Sequence, residues 1–513
     1  MPSAIDETSS PTVVDVAICG GGPTGLATAL LMKRLGVSVC VIDAKPASLE
    51  LGRADALNAR TQQYLEVAGL LDELLPQGIT CNTSSTFGDG EFKSRQNDWW
   101  VNLEHCLHRN FLMLGQPVVE RMLSEKLGPE SVFYGEQVAS IHEDADGVDV
   151  VTSRGRRVRS KYALGADGAR SMVRKAIGAS FTGTKPEMLW AVLDTFIDTD
   201  FPRCSEIITF QLNGQSRVSW IPRERGLCRF YVLLDGEVSL ELAQQSIKDH
   251  MAPHKVDFTK TEWYSTFDVK ERIASTFISK DGEGRIFLAG DAAHVHSVNG
   301  GQGLNTGIAD AFNLAWRLAA VVTGGVEGGE AARRVLRSYD TERRSTAQGV
   351  IDVAAKLVRD TVREAKTYVG TIERNAGYIT GMGVSYEACG SPLVEASQHG
   401  IWRAGFRCPD MVIKPLAGGE ERRLYKQNDY GKYLLLSVGK PAASKDSSLP
   451  VTRYSVLPPQ GAAADASLDN AFTGDWVTAE DAFHVVVRPD MYIAFVSESL
   501  EACEAHLNKV FHA

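Results

Sequence analysis

The sequence lacks the features that mark several classes of protein. It has no run of about 20 apolar residues, so we predict no bilayer-spanning helix. Acidic residues outnumber basic ones by 64 to 54, which argues against a nucleic-acid-binding surface. The nine cysteines include no C-x-x-C pair and no metal-ligand spacing, so we expect reduced thiols, no metal site and a cytoplasmic location. The first ten residues are polar and acidic, unlike a secretory signal.

What the sequence contains is the average composition of a folded protein. Its 513 residues are 44% hydrophobic and 23% charged. Because domains usually have about 100–200 residues, this length predicts about three structural units.

The clearest local pattern lies near the start of the chain. Val13–Cys19 and Val37–Asp43 are short apolar runs typical of buried strands, and Leu26–Leu35 between them has a helical pattern. A strand, a turn, a helix and a second strand make a βαβ unit. The turn before the helix is rich in glycine and consists of Gly20, Gly21, Gly22, Pro23, Thr24 and Gly25.

This turn has the G-x-G-x-x-G spacing of a dinucleotide site. Its glycines allow backbone N–H groups and the helix N-terminus to approach a pyrophosphate. Asp43, followed by Ala44, ends the second strand, where its carboxylate can accept hydrogen bonds from a ribose. An ordinary glycine-rich turn is the alternative, but the two strands, the helix and the acid favour dinucleotide binding.

Three further motifs follow in order. They are Tyr162–Ser171, which contains Asp167-Gly168; Gly284–His294, which contains Gly290-Asp291; and the glycine cluster Gly300–Gly307 with Asp310–Arg317 after it. With the first turn, they resemble the group A FAD-dependent aromatic hydroxylases. The resemblance implies FAD as cofactor and NADPH or NADH as co-substrate.

The resemblance also assigns the FAD contacts. Asp291, at a strand end, would bond the ribityl chain, and the helix after Gly300 would point its N-terminus at the flavin, with Asn305 and the Leu304 amide as donors. Arg53 would pair with the pyrophosphate, although a lone arginine or glutamine is usually a surface residue. The full set of additional positions is Arg53, Gln116, Asp167, Gly290, Asp291, Gly301, Gly303, Leu304 and Asn305.

Within this family, the chain most resembles the phenol hydroxylases. That resemblance places the catalytic positions on Asp55, Arg229 and Tyr231. Alternation along a strand puts Arg229 and Tyr231 on one face and Phe230 on the other. Asp55 is equally suited to a turn or a helix N-cap, and Tyr231 to a packed structural role.

The expected fold class is α/β, a Rossmann-like FAD-binding domain with an interleaved β-sheet substrate domain. A C-terminal thioredoxin-like α/β domain without C-x-x-C follows. The FAD-binding domain takes residues 1–80, 113–185 and 283–400, the last with a helical extension; the substrate domain takes 81–112 and the mostly strand-like 186–282; the thioredoxin-like domain takes 401–513. Residues 440–470, rich in Ala, Ser, Pro and Gly, are predicted to be a surface loop.

The implied function is hydroxylation of a phenolic substrate with NAD(P)H and O2 through a flavin C4a-hydroperoxide. Asp55 would act as the base that forms the phenolate, and Tyr231 as its hydrogen-bond partner. Oxidative dearomatisation, decarboxylative hydroxylation and a non-catalytic FAD-binding interaction protein remain alternatives. A flavin halogenase is disfavoured, because Val218 stands where its Trp-x-Trp-x-Ile-Pro motif needs a tryptophan. A homodimer is a further expectation.

Overall fold

The first βαβ unit has the order that the sequence predicts. In the computed structural model it consists of β1 (Thr12–Cys19), α1 (Pro23–Arg34) and β2 (Val39–Asp43). Pro23 starts α1 at a position where no backbone N–H is needed. The structure describes residues 11–98, 103, 105–185, 189–202, 205–268, 270–297, 301–361, 365–441, 449–459 and 470–512.

The other elements follow in chain order, with single 3₁₀ turns between some of them. Up to residue 300 they are β3 (Ala56–Leu57), α2 (Ala59–Val67), α3 (Leu71–Leu74), β4 (Ile79–Cys81), β5 (Thr83–Gly88), β6 (Glu91–Asp98), β7 (Phe111–Met113), α4 (Gln116–Leu127), β8 (Val132–Tyr134), β9 (Val138–Glu143), β10 (Val148–Thr152), β11 (Arg157–Gly165), α5 (Met172–Ala176), β12 (Phe181–Thr184), β13 (Leu189–Thr199), β14 (Ile207–Leu212), β15 (Gln215–Pro222), β16 (Cys228–Leu234), α6 (Leu240–Met251), β17 (Val256–Asp268), β18 (Glu271–Ala274), α7 (Ser279–Gly282), β19 (Ile286–Leu288) and β20 (His294–Val295). Beyond it they are α8 (Gln302–Val322), α9 (Gly329–Thr361), α10 (Ala365–Arg374), α11 (Ala376–Ile379), β21 (Gln398–His399), β22 (Trp402–Arg403), β23 (Val412–Pro415), β24 (Arg422–Arg423), α12 (Leu424–Gln427), β25 (Tyr433–Val438), β26 (Val451–Leu457), β27 (Ala471–Thr473), β28 (Phe483–Val487), β29 (Ile493–Ser497) and α13 (Leu500–Phe511).

The first sheet brings distant motifs to one edge. Its strand order is β8-β2-β1-β11-β10-β9, and β19 also pairs with β11. Strands β1, β2, β8, β11 and β19 are parallel, and Cys19 lies beside Gly165, which lies beside Leu288. The turns that follow β1, β11 and β19 therefore meet at the carboxyl edge of the sheet, where ligands of open α/β folds bind.

The second sheet combines two separate stretches of chain. Its order is β17-β13-β16-β15-β14-β5-β6, so strands from residues 83–98 complete a sheet otherwise built from residues 189–268. Helix α6 packs on it through Ala243, Ile247 and Met251. The mostly strand-like interpretation of this region missed α6.

The third large sheet lies in the C-terminal part, in the order β24-β23-β27-β26-β25-β28-β29. The predicted surface loop over residues 440–470 is wrong for its middle, because β26 pairs in parallel with β25 and buries Tyr454 and Val456. Residues 442–448 and 460–469 lie outside the described part of the chain. The Ala, Ser, Pro and Gly residues on both sides of β26 made the whole segment look like a loop, so its apolar residues were not recognised as a strand.

None of the helices in the described ranges combines the length and the apolar content needed to cross a bilayer.

Candidate functional site

A cavity of about 790 Å³ opens at the carboxyl edge of the first sheet. The turns after β1, β2, β11 and β19 and the start of α8 line it. The cavity thereby brings together residues that the sequence predicted for a cofactor: Gly20, Gly22, Pro23, Thr24, Asp43, Ala44, Arg53, Gln116, Asp167, Asp291, Gly303 and Leu304.

The glycines of the first turn have different steric roles. A Cβ on Gly20 would lie 2.1 Å from the Ala166 carbonyl oxygen, and one on Gly25 would lie 1.9 Å from the Gly20 carbonyl oxygen. Beside Gly22 the space is open, with no atom of the described residues within 4 Å of a built Cβ. Gly25 therefore allows α1 to pack on its own turn and lies outside the cavity lining, whereas Gly22 leaves room for a ligand.

Two carboxylates in the cavity are held by backbone N–H groups. Asp43 accepts from the Gly21 N–H at 2.5 Å and the Lys45 N–H at 2.6 Å. Asp167 accepts from the hydroxyl of Ser171 at 2.5 Å and from the Met172 N–H at 2.7 Å, so it caps the start of α5. Both acids are fixed in position by the loops that they organise.

Asp291 is the carboxylate most open to the cavity. Its side chain is exposed there, yet the surrounding protein desolvates it and raises its pKa, while His294 and Arg53 act in the opposite direction. No hydrogen bond joins its carboxylate to another described residue. Gln116 accepts from the Ala54 N–H at 3.3 Å and donates to Glu120 at 2.7 Å, which holds it at the cavity wall.

Helix α8 begins beside the cavity at a left-handed residue, Gly301, whose φ is +61°. Gly303 and Leu304 line the cavity, and Gly300 lies outside the described residues. Gly290, which also does not line it, packs against Thr24: a Cβ there would lie 2.7 Å from the Thr24 hydroxyl oxygen.

Asn305 differs from the expectation for its side chain. Its Nδ2 donates to the carbonyls of Ala56 at 2.9 Å and Gly301 at 2.6 Å, and its Oδ1 accepts from the Asn58 N–H at 2.9 Å. The side chain is thus committed to joining α8 to the residues around β3, and it is absent from the lining of the large cavity. The Asn305 side chain is therefore not available as a donor to a ligand in the large cavity.

The three predicted catalytic residues meet where Asp55, just before β3, approaches β16 of the second sheet. Arg229 Nη1 lies 3.5 Å from Asp55 Oδ2 and 3.5 Å from the Tyr231 hydroxyl. Arg229 and Tyr231 share one face of β16, as predicted, and Phe230 packs in the core on the other face. Arg229 also donates to the Arg53 carbonyl, which connects this cluster to the wall of the large cavity.

Three charged residues of this cluster were not identified from the sequence. Asp194 on β13 accepts two hydrogen bonds of 2.6 Å from Arg229, and Arg223 lies 3.5 Å from Asp194. Arg223 also pairs with Glu224 at 2.7 Å. The missing signal is strand register: Asp194 stands directly opposite Arg229 in the antiparallel β13–β16 pair.

Asp55 is paired with Arg229 only loosely. Its Oδ2 lies 3.5 Å from Arg229 Nη1, is buried and has no hydrogen-bond partner among the described residues. Burial raises the pKa of Asp55, and the charges of Arg229 and Arg223 oppose that rise. Burial also raises the pKa of Tyr231, which keeps its hydroxyl protonated.

Comparison with known proteins decides what occupies the large cavity. The family model described as "FAD binding domain" matches residues 13–354. This chain belongs to that family. FAD is therefore its cofactor, and the dinucleotide prediction is confirmed.

The curated relatives of this FAD-binding chain include monooxygenases. A phenol 2-monooxygenase of Aspergillus fumigatus is 31% identical over 402 residues, which are 73% of this chain and 66% of the relative. A rifampicin monooxygenase of Streptomyces venezuelae is 32% identical over 347 residues, 66% of this chain and 70% of the relative. The matched region is thus about two thirds of the length of these relatives.

Solved structures share the fold over nearly the whole FAD-binding chain. A ternary complex of aklavinone-11 hydroxylase with FAD and aklavinone is 23% identical with a TM-score of 0.77, and the match covers 98% of this chain and 100% of that one. The anhydrotetracycline hydroxylase of Streptomyces rimosus is 25% identical with a TM-score of 0.71, covering 98% and 99%. The predicted α/β fold class is confirmed.

The residues around the large cavity suit FAD. The open space beside Gly22 at the start of α1 provides a place for a phosphate. The Asp291 carboxylate, which no described residue hydrogen-bonds, provides an acceptor for hydroxyl groups. We refer to this space as the FAD cavity.

Proposed function

We propose that this chain is an FAD-dependent monooxygenase that hydroxylates a phenolic substrate with O2 and NADPH or NADH. The observation that carries the proposal is the position of the Asp55–Arg229–Tyr231 cluster. It adjoins the wall of the FAD cavity and is connected to it through the bond from Arg229 to the Arg53 carbonyl. A buried carboxylate whose Oδ2 accepts no hydrogen bond from the described residues, at the edge of a cofactor cavity, is typical of a catalytic site.

In this proposal the FAD contacts are divided among four loops. The pyrophosphate lies at the Gly20–Gly25 turn and the start of α1, with Arg53 as a cationic partner. Asp43 binds a ribose, Asp291 the ribityl chain, and the N–H groups at the start of α8 the flavin edge. Asp167 and Gln116 position the loops around the cofactor. FAD, when bound, supplies electron transfer and oxygen activation.

The chain's own residues prepare the substrate. The free Oδ2 of Asp55 accepts the proton of the phenol hydroxyl, and the Tyr231 hydroxyl donates a hydrogen bond to the resulting phenolate. A phenol titrates near pH 10. Because the pKa of Asp55 is raised, it lies closer to the pKa of the phenol. Proton transfer from the phenol to Asp55 is therefore more favourable than transfer to an ordinary aspartate. Asp194 holds Arg229 in place, and Arg229 balances the negative charge.

We also propose the domain organisation, the oligomeric state and the location that the sequence predicts. These proposals include the division of the chain at residues 80, 112, 185, 282 and 400, a thioredoxin-like unit over 401–513, a homodimer and a cytoplasmic location. The C-terminal sheet supports a separate unit, because its core around Leu434, Val456 and Val485 is formed largely within this region. Without C-x-x-C it would have a structural role.

A panel of phenols tests the proposed function. NADPH or NADH consumption is followed with each phenol, and the product mass is determined after reaction under ¹⁸O2. We expect one phenol to stimulate consumption and to gain one labelled oxygen atom while remaining aromatic. A labelled product without aromatic absorbance would indicate dearomatisation instead. Consumption that no phenol changes, with no labelled product, would favour the interaction protein.

A further inference from the structure

A second, much smaller cavity lies on the other side of the first turns of α8. We call it the inner cavity; its volume is about 30 Å³, enough for two waters or one small ion. The α8 residues that line it are Gln302, Asn305, Thr306 and Ala309, whereas Gly303 and Leu304 face the FAD cavity. The helix N-terminus therefore separates the two cavities, and its partial positive charge acts on both.

Gln302 is a buried residue on the wall of the inner cavity. Its side chain is 2% exposed, and neither its Nε2 nor its Oε1 forms a hydrogen bond with any described residue. Buried amides are almost always hydrogen-bonded. Since Gln302 lines the inner cavity, the missing partner belongs in that space.

Two arginines, Arg60 and Arg343, line the inner cavity, and Arg60 forms no ion pair with a carboxylate of the described residues. Arg60 is 2% exposed and lines the cavity. Its Nη atoms donate to neutral oxygens, namely Gln63 Oε1 at 2.9 Å, the Tyr425 hydroxyl at 3.0 Å and the Asp490 carbonyl at 3.0 Å. Its Nε has no partner, and no carboxylate of the described residues forms an ion pair with it.

Neighbouring buried charges do not compensate Arg60. Arg343 pairs with Asp310 at 2.7 Å, and Arg317 and Arg488 pair with Glu342 at 2.7 and 2.6 Å. Asp490 takes a further bond from Arg488 at 2.6 Å. The carboxylates Asp310, Glu342 and Asp490 thus pair with Arg343, Arg317 and Arg488, and Arg60 forms an ion pair with none of the three. Arginine stays protonated in proteins, so one positive charge is left over.

We propose that the inner cavity binds one monovalent anion of the size of chloride. The Gln302 amide N–H donates to the anion, Arg60 supplies the opposite charge, and the N-terminus of α8 adds its dipole. The small volume admits a halide and excludes sulfate. This site is separate from the proposed chemistry and does not depend on the substrate.

Thermal unfolding of the FAD-loaded protein tests the proposal. Sodium bromide or chloride is titrated against sodium gluconate at constant ionic strength. We expect a saturable rise in Tm of about 3 °C for both halides, and none for sulfate. Anion binding to the FAD cavity would be distinguished by the variants below, because it would not depend on Gln302.

Two variants remove the site by different routes. Arg60→Met removes the charge and Gln302→Leu the donor, and both should abolish the halide effect; Gln302→Leu keeps the test valid if Arg60→Met does not fold. Arg333→Met, which removes an exposed arginine on α9, is the matched control and should keep the effect. A halide effect that persists in Gln302→Leu would overturn the assignment.

Crystals grown in sodium bromide locate the ion directly. We expect an anomalous bromide peak in the inner cavity near Gln302. Water density there without a bromide peak would contradict the proposal. So would a tyrosinate absorbance band at neutral pH, because a deprotonated tyrosine beside Arg60 would then provide the missing negative charge.

Discussion

Arg229 connects its neighbours because each of the three nitrogens of its guanidinium donates a hydrogen bond. It is fully buried, it binds Asp194 through two bonds, and it reaches the Arg53 carbonyl with a third. Asp194 forms the short ion pair with Arg229. The positive charge of Arg229 therefore acts on Asp55 from 3.5 Å, while Asp55 Oδ2 accepts no hydrogen bond from the described residues. A residue placed in this way can accept a proton and still be stabilised as an anion.

The first prediction concerns Asp55. We expect Asp55→Asn to lower hydroxylation about 10²- to 10⁴-fold, because the proton acceptor is lost, while FAD remains bound. Product formation and hydrogen peroxide release are measured together in single turnovers. Glu237→Gln, an exposed acid beyond the end of β16, should change neither. Unaltered turnover in Asp55→Asn would remove Asp55 from the mechanism.

The pH dependence gives a second prediction. Burial raises the pKa of Asp55 above its ordinary 3.8, and the base form predominates only above that raised pKa. The rate of hydroxylation should therefore rise with pH along an acidic limb whose midpoint lies above 3.8. The limb is measured as kcat/KM against pH, and it should disappear in the residual activity of Asp55→Asn. An identical limb in that variant would assign it to another group.

At the residue scale, the sequence predicts site residues only where their spacing along a single strand places them on the same face. The alternation of Arg229 and Tyr231 could be read directly, and the resemblance added Asp55. The partners Asp194 and Arg223 could not be predicted, because their proximity depends on which residues of β13, β15 and β16 stand opposite one another.

At the scale of elements, the start of α8 is the most constrained feature. The left-handed Gly301 precedes it, and Asn305 fastens its second turn to Ala56 and Asn58. The position of the N–H groups that face the FAD cavity is thus set from the opposite side of the helix.

The third prediction follows from this attachment. Asn305→Ala leaves the Ala56 carbonyl and the Asn58 N–H without their partner, so we expect a loss of about 1–3 kcal/mol in the free energy of unfolding and weaker FAD binding. Urea denaturation of the apo form and FAD titration measure the two effects. Asn508→Ala, at an exposed position on α13, should stay within about 0.5 kcal/mol of the wild type. Full stability in Asn305→Ala would show that the attachment is dispensable.

Element prediction failed in two instructive places. Helix α6 has a capping serine, Ser239, which accepts from the Leu242 N–H, and apolar residues at helical spacing. Those signals were present but were outweighed by the strands around them. Strand β26 is different, since its seven residues lie inside a segment whose composition is typical of loops. Its pairing with β25 on one side and β27 on the other identifies it.

At the scale of the whole molecule, a buried charge network joins α9 to the C-terminal sheet. Glu342 on α9 accepts from Arg488 at 2.6 Å and from Arg317 on α8 at 2.7 Å, and all three are fully buried. Despite burial, Arg488 and Arg317 hold the pKa of Glu342 below its usual range. These contacts fix the turn between β28 and β29 against the FAD-binding part.

The fourth prediction addresses that network. Glu342→Gln removes the carboxylate between two buried arginines, so we expect a loss of about 3–5 kcal/mol in the free energy of unfolding. The loss should be largest at neutral pH and shrink below the ordinary pKa of 4.5, where the wild-type carboxyl begins to lose its advantage. Urea denaturation at several pH values measures it. Glu330→Gln, in an exposed pair with Arg333, should cost less than about 1 kcal/mol; equal effects would contradict the prediction.

The nucleotide-binding sheet could be predicted from the sequence, but the contacts that join distant parts of the chain could not. The glycine turn, the two parallel strands and the later strand before Asp291 indicated one nucleotide-binding sheet, and the structure brings their ends together. The Glu342–Arg488 network was not predicted, because its members are 146 residues apart and belong to no motif.

The composite second sheet has a consequence for biosynthesis. Strand β5 pairs with β14, so Ser84 leaves the ribosome about 120 residues before its partner Ile207. At roughly 5–20 residues per second, the nascent chain carries that strand without a neighbour on one side for about 6–25 seconds. Premature release in this interval would expose a β-edge suited to self-association, and chaperone demand during translation should be concentrated there.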